Sequence, residues 1–338
     1  MIFKNIEFHN VADLTKDEDG SYIMHRFPLS VEKELEGGQN ANMITTGVEL
    51  RFKIRSGVAK IKLKNSGDSS AATRIFQYRG NIIDSWKNYS FSVVGGQEIT
   101  RTISPHPEIE LLRKVTADAG YSFSPDVIRL VINQSLIRFV DVEGDVEPPT
   151  VDDVPRRKYL AYGSSITHGS QCYSNATGFV NQVAEYFKAD ALNRGLAGNA
   201  RLEKVVADEI AGMGKRGEWD FCTLCMGINI SNIPPEEFRK KVRYMLETVT
   251  FSNLQKHIFA ISPIFSRDDI VGKSNLSDFR KVVEEEVKLI NTPNLHYISG
   301  LSLLGGPGGL SCDLVHPSPD GANTIAKNLI DILKSHIR

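Results

Sequence analysis

Over roughly the first 145 residues, apolar and polar positions alternate with period two. Val48, Leu50, Phe52 and Ile54 form one such run, Ser56-Gly57 interrupts it as a turn, and Ala59, Ile61 and Leu63 resume it. Residues two apart on a strand share a face, so each run predicts a strand with one buried side. Further apolar or alternating stretches lie at 75–78, 89–94 and 127–142, separated by turns rich in Gly, Asn and Asp. Short strands at this spacing, without a convincing helix among them, predict an all-β sandwich over 1–145. The segment VEGDVEPPTVDDVP at 142–155 is acidic, carries proline and shows no apolar period, which predicts a linker over 146–156.

Beyond Pro155 the period changes. Apolar strands are predicted at 158–162, 189–193, 221–226, 257–264 and 295–298. Between them run helical patterns: Phe179, Val183 and Phe187; a stretch over 202–213; Phe238, Val242, Met245 and Val249 behind Pro234-Pro235; and Phe279, Val283, Val287 and Ile290. A last helix carries Ile325, Leu329 and Leu333. Repeated strand–helix units predict a parallel sheet covered by helices on both faces over 157–338, with ligands bound beyond the carboxyl ends of the strands.

Composition narrows the classes. The 338 residues carry 40 Lys plus Arg against 41 Asp plus Glu, with no basic run to suggest nucleic acid or an anionic membrane as a partner. The N-terminus lacks the basic and then apolar pattern of a secretory signal, and no stretch reaches the about 18 apolar residues of a membrane-spanning helix. A soluble cytoplasmic protein is expected. Four cysteines are too few for a disulfide scaffold in a chain this long. Cys222 and Cys225 sit in an apolar run that predicts a buried strand, on which residues three apart face opposite sides, so they are read as core rather than as metal ligands. His9, His25, His106, His168, His257, His296 and His336 show no ligand spacing, and His168 is expected to be a partly exposed neighbour of a turn. No metal or cofactor is expected. Tyr78, Trp86 and Tyr89 are as well suited to a core as to a sugar platform. Gly305-Gly306-Pro307-Gly308-Gly309 lacks the Lys and Ser/Thr of a phosphate loop and is read as a flexible connection.

Four short blocks carry the candidate chemistry: Gly163-Ser164-Ser165-Ile166-Thr167-His168-Gly169, Asn193-Arg194-Gly195-Leu196-Ala197-Gly198, Gly227-Ile228-Asn229 and Asp313-Leu314-Val315-His316. Each also has a plainer reading. Ser165 suits a helix N-cap, Gly198 a loop, Asn229 a turn, and the Asp–His pair the start of the last helix. Three blocks follow a predicted strand and the fourth precedes that last helix. A serine on a turn, an imidazole able to take its proton near neutral pH, and an acid three residues before it make up the parts of acyl transfer through a serine ester.

These blocks, in this order, resemble those of the SGNH (GDSL-type) esterases and acylhydrolases, from about Arg157 to the C-terminus. The resemblance implies a three-layer α/β/α hydrolase domain preceded here by a jelly-roll-like sandwich. It also implies Ser165 as nucleophile, His316 as base, Asp313 as its orienting acid, and Gly198 and Asn229 as oxyanion donors beside the Ser165 N–H. The family has Asp where Ser164 stands, a departure that touches the turn's hydrogen bonds and not the triad. A sandwich ahead of such a domain resembles carbohydrate esterases, so short-acyl or acetyl esters of a sugar or other polyol are the expected substrates. Transfer of the acyl group to a hydroxyl acceptor and an inactive carbohydrate-binding protein remain alternatives. Oligomeric state is left open.

Overall fold

The computed structural model describes residues 1–272 and 274–337. The chain divides into two compact units, the first made of Met1–Leu29, Asn42–Arg156 and Lys188–Asp190, the second of Ser30–Ala41, Arg157–Phe187 and residues from 191 onward.

The spine of the first unit is one 17-residue strand, Glu49–Asn65. Its first residues pair antiparallel with strands Ile6–His9 and Ile128–Ile132. Its remainder pairs with Ile137–Glu147 and Glu98–Ile103. Eleven strands join through it into one antiparallel sheet network. The period-two alternation puts Leu50, Phe52, Ala59, Ile61 and Leu63 into one core with Phe8, Ile75, Val93, Leu130 and Phe139. Phe8 and Phe139 meet edge to face at 5.0 Å, a favoured aromatic geometry.

Three expectations change here. Ser56-Gly57 is no turn: the strand runs through it, with Gly57 at φ 66° and register shifts on the partner strand around Asp145, so it is a bulge and a bend. The segment expected as a linker from 146 begins inside the strand Ile137–Glu147, where Val146 is buried, and the first unit continues to Arg156. The unit also holds an 11-residue helix, Ile109–Ala119, closed by Gly120 in the left-handed region. It escapes a core-based reading because only Thr116 is buried, while Leu111 and Val115 face solvent. Trp86 is 81 % exposed, so it is not core.

A five-stranded sheet, belonging to the second unit apart from Ala189 and Asp190, is made of β1 (Arg157–Gly163), β2 (Ala189–Gly195), β3 (Phe221–Cys225), β4 (His257–Ile261) and β5 (Leu295–Ile298). The spatial order is β2-β1-β3-β4-β5, with β1, β3, β4 and β5 in parallel register. The near-continuous burial of Tyr159–Tyr162 and Phe221–Leu224 is what a sheet covered on both faces requires. Helices α1 (Phe179–Tyr186) and α5 (Pro319–Leu333) pack together, and α3 (Pro235–Ser252) packs on both α2 (Lys204–Lys215) and α4 (Leu276–Ile290). This is the three-layer α/β/α architecture. None of the helices among the described residues is long and apolar enough to cross a membrane.

The α3–α4 contact centres on Phe238 and Phe279, both fully buried and stacked with centroids 3.7 Å apart. Phe279→Ala should destabilise the second unit by about 3–5 kcal/mol, read as a lowered urea midpoint followed by circular dichroism. A loss below about 1 kcal/mol, the size of an ordinary substitution, would contradict this packing.

Candidate active site

The sheet order places the site. From β1 the chain moves to one side for β2 and then to the other for β3. The loops after these three strands diverge at a switch point, where open parallel sheets leave a crevice beyond their carboxyl ends.

After β1, Ser164 caps the short helix Ser165–His168, its hydroxyl accepting from the Ile166 N–H at 3.3 Å. Ser164 is buried, and Ser165, the first helical residue, is partly exposed. An N–H at that position has no acceptor within its own helix. His168 is buried rather than partly exposed, because the backbone at Gly195 packs against its own.

The end of β2 and the loop after it dock on this turn. Leu196 N–H donates to the Gly163 carbonyl at 2.8 Å, and Asn193 Nδ2 donates to the Thr167 carbonyl at 2.8 Å. A Cβ on Gly195 would fall 2.7 Å from the His168 nitrogen, so the two backbones meet only because this residue lacks one. Gly198 follows at φ 71°, with open space where a Cβ would stand. After β3, the Asn229 amide oxygen accepts from the Ala200 N–H at 3.1 Å, tying the third block to the second. That bond fixes the amide's orientation and leaves Nδ2 as its donor end. Leu202 N–H donates to the buried Tyr162 hydroxyl of β1 at 3.2 Å.

The fourth block is a tight turn ahead of α5. Asp313 Oδ1 accepts from the N–H groups of Val315 and His316, at 2.8 and 2.9 Å, and from the Ser311 hydroxyl at 2.8 Å. Its Oδ2 accepts from His316 Nδ1 at 2.7 Å. The other ring nitrogen, Nε2, lies 2.8 Å from Ser165 Oγ. A carboxylate only accepts, so Nδ1 carries the proton and Nε2 presents its lone pair to the serine hydroxyl. Desolvation pushes the Asp313 carboxyl up, but the hydrogen bonds from His316, Val315 and Ser311 outweigh it and hold the group well below the usual carboxylate range. Asp313 is therefore an anion at neutral pH.

Two supporting residues were not singled out in the sequence. Ser311, two before Asp313, supplies one of its donors. Asn193 latches the second block to the first, and its place at the head of that block was the available signal. The Gly305–Gly309 run also differs from a flexible connection. Ser318 donates to the Gly309 carbonyl through both its N–H, at 2.7 Å, and its hydroxyl, at 3.0 Å, and a Cβ on Gly309 (φ 90°) would lie 2.9 Å from Gly321 Cα. The run is pinned to the first turn of α5. Beside Ser164 and Ile166 lies a cavity of about 40 Å³ whose walls include Phe179, Cys225, Ile261 and Ile325. Burial raises the Cys225 thiol to about 11, so it lines the cavity as a neutral group.

The profile of the GDSL-like lipase/acylhydrolase family matches residues 156–334. No curated protein matches the chain in sequence. Solved structures share its fold over almost the whole length. The salicylyl-acyltransferase SsfX3 from a tetracycline biosynthetic pathway superposes with a TM-score of 0.79 at 16 % identity, covering 99 % of this chain and 97 % of that one. A family two carbohydrate esterase from Cellvibrio japonicus gives 0.64 at 13 %, covering 98 % and 95 %. The acetyl xylan esterase Est2A from the rumen bacterium Butyrivibrio proteoclasticus gives 0.57 at 13 %, covering 99 % and 96 %. With four ordered blocks gathered at one end of a parallel sheet and a family profile matched over more than half its length, the chain belongs to the GDSL-like lipase/acylhydrolase family.

Proposed function

We propose that the protein is a serine esterase that removes short acyl groups, acetyl foremost, from a sugar or other polyol by way of an acyl-enzyme. The observation that carries this reading is the unbroken hydrogen-bonded line from Asp313 through His316 to Ser165. As Ser165 Oγ attacks the ester carbonyl, its proton passes to His316 Nε2, and the imidazolium is stabilised by the Asp313 carboxylate. The oxyanion is received by the Ser165 and Gly198 N–H groups and by Asn229 Nδ2. The imidazolium then protonates the leaving alkoxide, leaving the acyl group on Ser165. A water then loses a proton to His316 and attacks the acyl carbonyl; as the acyl–oxygen bond breaks, His316 returns that proton to Ser165 Oγ, releasing the acid and the free serine. Asp313 remains ionised throughout.

The small cavity supports a short acyl group. Its about 40 Å³ is apolar at Ile166, Phe179, Ile261 and Ile325 and adjoins the nucleophile turn. It lies next to Ser165 without including it among its walls, and is read as room for a small apolar acyl end beside the nucleophile. The polyol portion of the ester is inferred from the two-unit layout shared with the family two carbohydrate esterase and the acetyl xylan esterase.

Hydrolysis of p-nitrophenyl acetate, butyrate and octanoate should fall in that order, and Ser165→Ala should lower kcat by at least ~10³-fold. Octanoate turned over fastest would reject the short acyl group, and unchanged activity in Ser165→Ala would move the nucleophile elsewhere. With glycerol or xylose present, free acetate should remain the product; an acetylated acceptor instead would make the protein an acyltransferase. Asp313→Asn should slow turnover by up to ~10⁴-fold through the wrong imidazole tautomer, and a loss of only a few-fold would mean the wrong acid. Asn229→Ala should cost ~10²–10³-fold in kcat with little change in KM; an effect on KM alone would make Asn229 a ground-state contact.

A further inference from the structure

Among the described residues, one group of three side chains of metal-ligating type comes together: His257, His296 and His336, with one ring nitrogen of each within 4.8 Å of the others. Sequence spacing gives no hint of it, since sheet pairing and the chain's last turn bring the three together. His257 opens β4, and His296 on β5 stands opposite Phe259 in the parallel register. Residues two apart on a strand share a face, so His257, Phe259 and His296 lie on one side of the sheet. His336 arrives from the turn after α5, where its N–H donates to the Leu333 carbonyl at 2.9 Å.

The three rings surround buried Phe259, with centroids 6.2, 4.9 and 5.6 Å from its ring for His257, His296 and His336. His296 and His336 lie 4.0 Å apart by centroid. Nδ1 of His257 is 2.9 Å from Nε2 of His296. Tetrahedral zinc, with bonds of ~2.0–2.1 Å to imidazole, spaces its ligand nitrogens by about 3.3 Å, so this pair already approximates one edge of such a site. Nitrogens up to 4.8 Å apart close to that spacing by small ring rotations, which groups short of full burial allow. A purely imidazole donor set suits borderline ions such as Zn²⁺, Ni²⁺ and Cu²⁺ over Mg²⁺ or Ca²⁺.

We propose that His257, His296 and His336 bind one divalent transition-metal ion of the Zn²⁺ type, with water in the fourth position, and that the ion clips the C-terminal end of α5 to β4 and the edge strand β5. On binding, the hydrogen bond between His257 and His296 is broken and the proton it used moves to the other nitrogen of the same ring. Each imidazole then gives one lone pair, and five of the six waters of the hydrated ion leave, the sixth staying in the fourth position. The site is distinct from the serine: His316 precedes α5 and His336 follows it, and a 15-residue helix spans about 22 Å.

The test is a titration of tag-free, chelator-treated protein with ZnCl₂ by calorimetry, together with thermal denaturation with and without the ion. One ion per chain, a rise in Tm, and at least a ~10-fold weaker affinity in both His296→Gln and His336→Gln are expected, since even supporting residues around a metal cost ~10–100-fold. His336→Gln, in the turn after α5 and outside the sheet, serves should His296→Gln fail to fold. Ester hydrolysis should persist in whichever variant folds. No stoichiometric binding by the unsubstituted protein would overturn the proposal. So would equal affinity in His336→Gln, which would put the ion elsewhere, for example at His316 or Cys312.

Discussion

Because β1 has β2 on one side and β3 on the other, the loops leaving these strands must part at their carboxyl ends, and everything proposed for the chemistry is built in that gap. Divergence alone would leave three loose loops. They become one surface through a few backbone-directed bonds: Leu196 to Gly163, Asn193 to Thr167, and Ala200 to Asn229. Each block thus depends on its neighbour. The missing Cβ of Gly195 matters as much as any hydrogen bond, since it is what lets the second loop reach the serine turn.

The fourth block is joined to this surface across 151 residues of sequence by the bond between His316 and Ser165. Its turn is held from both sides. Leu314 adopts φ 58°, a conformation that costs a non-glycine residue about 1 kcal/mol or more, and its carbonyl accepts from the Arg267 N–H at 2.6 Å. In return the turn aims two N–H groups and a hydroxyl at one oxygen of Asp313, which leaves the other oxygen for the imidazole. A carboxylate so fully engaged stays ionised and dictates which imidazole nitrogen bears the proton. Ser318 then caps α5, accepting from the Gly321 N–H, so His316 sits in a turn directly ahead of a capped helix.

The turns that carry Ser165, and Asp313 with His316, were legible in the sequence as local blocks whose turn chemistry shows in their residue types, and the structure brings these three side chains together. The α/β half was legible too, because its strands are near-continuous apolar runs while its helices each bury one face, so the two patterns differ. What could not be read depends on contacts distant in sequence. The bend at Gly57 reads as a turn until the partner strand's bulge near Asp145 is known. The helix Ile109–Ala119 buries too little to leave a core pattern. Gly309 appears flexible until the first turn of α5 packs against it. The three histidines are 39 and 40 residues apart along the chain and become neighbours only through sheet register and the last helix.

The most direct measurement is labelling with a fluorophosphonate, followed by mass spectrometry of the peptides. A reagent that demands an activated serine should add once per chain, on the peptide carrying Ser165, and His316→Ala should slow the addition sharply because the hydroxyl would lose its base. An adduct on another serine, or labelling that persists in Ser165→Ala, would contradict the assignment of Ser165 and His316 as nucleophile and base.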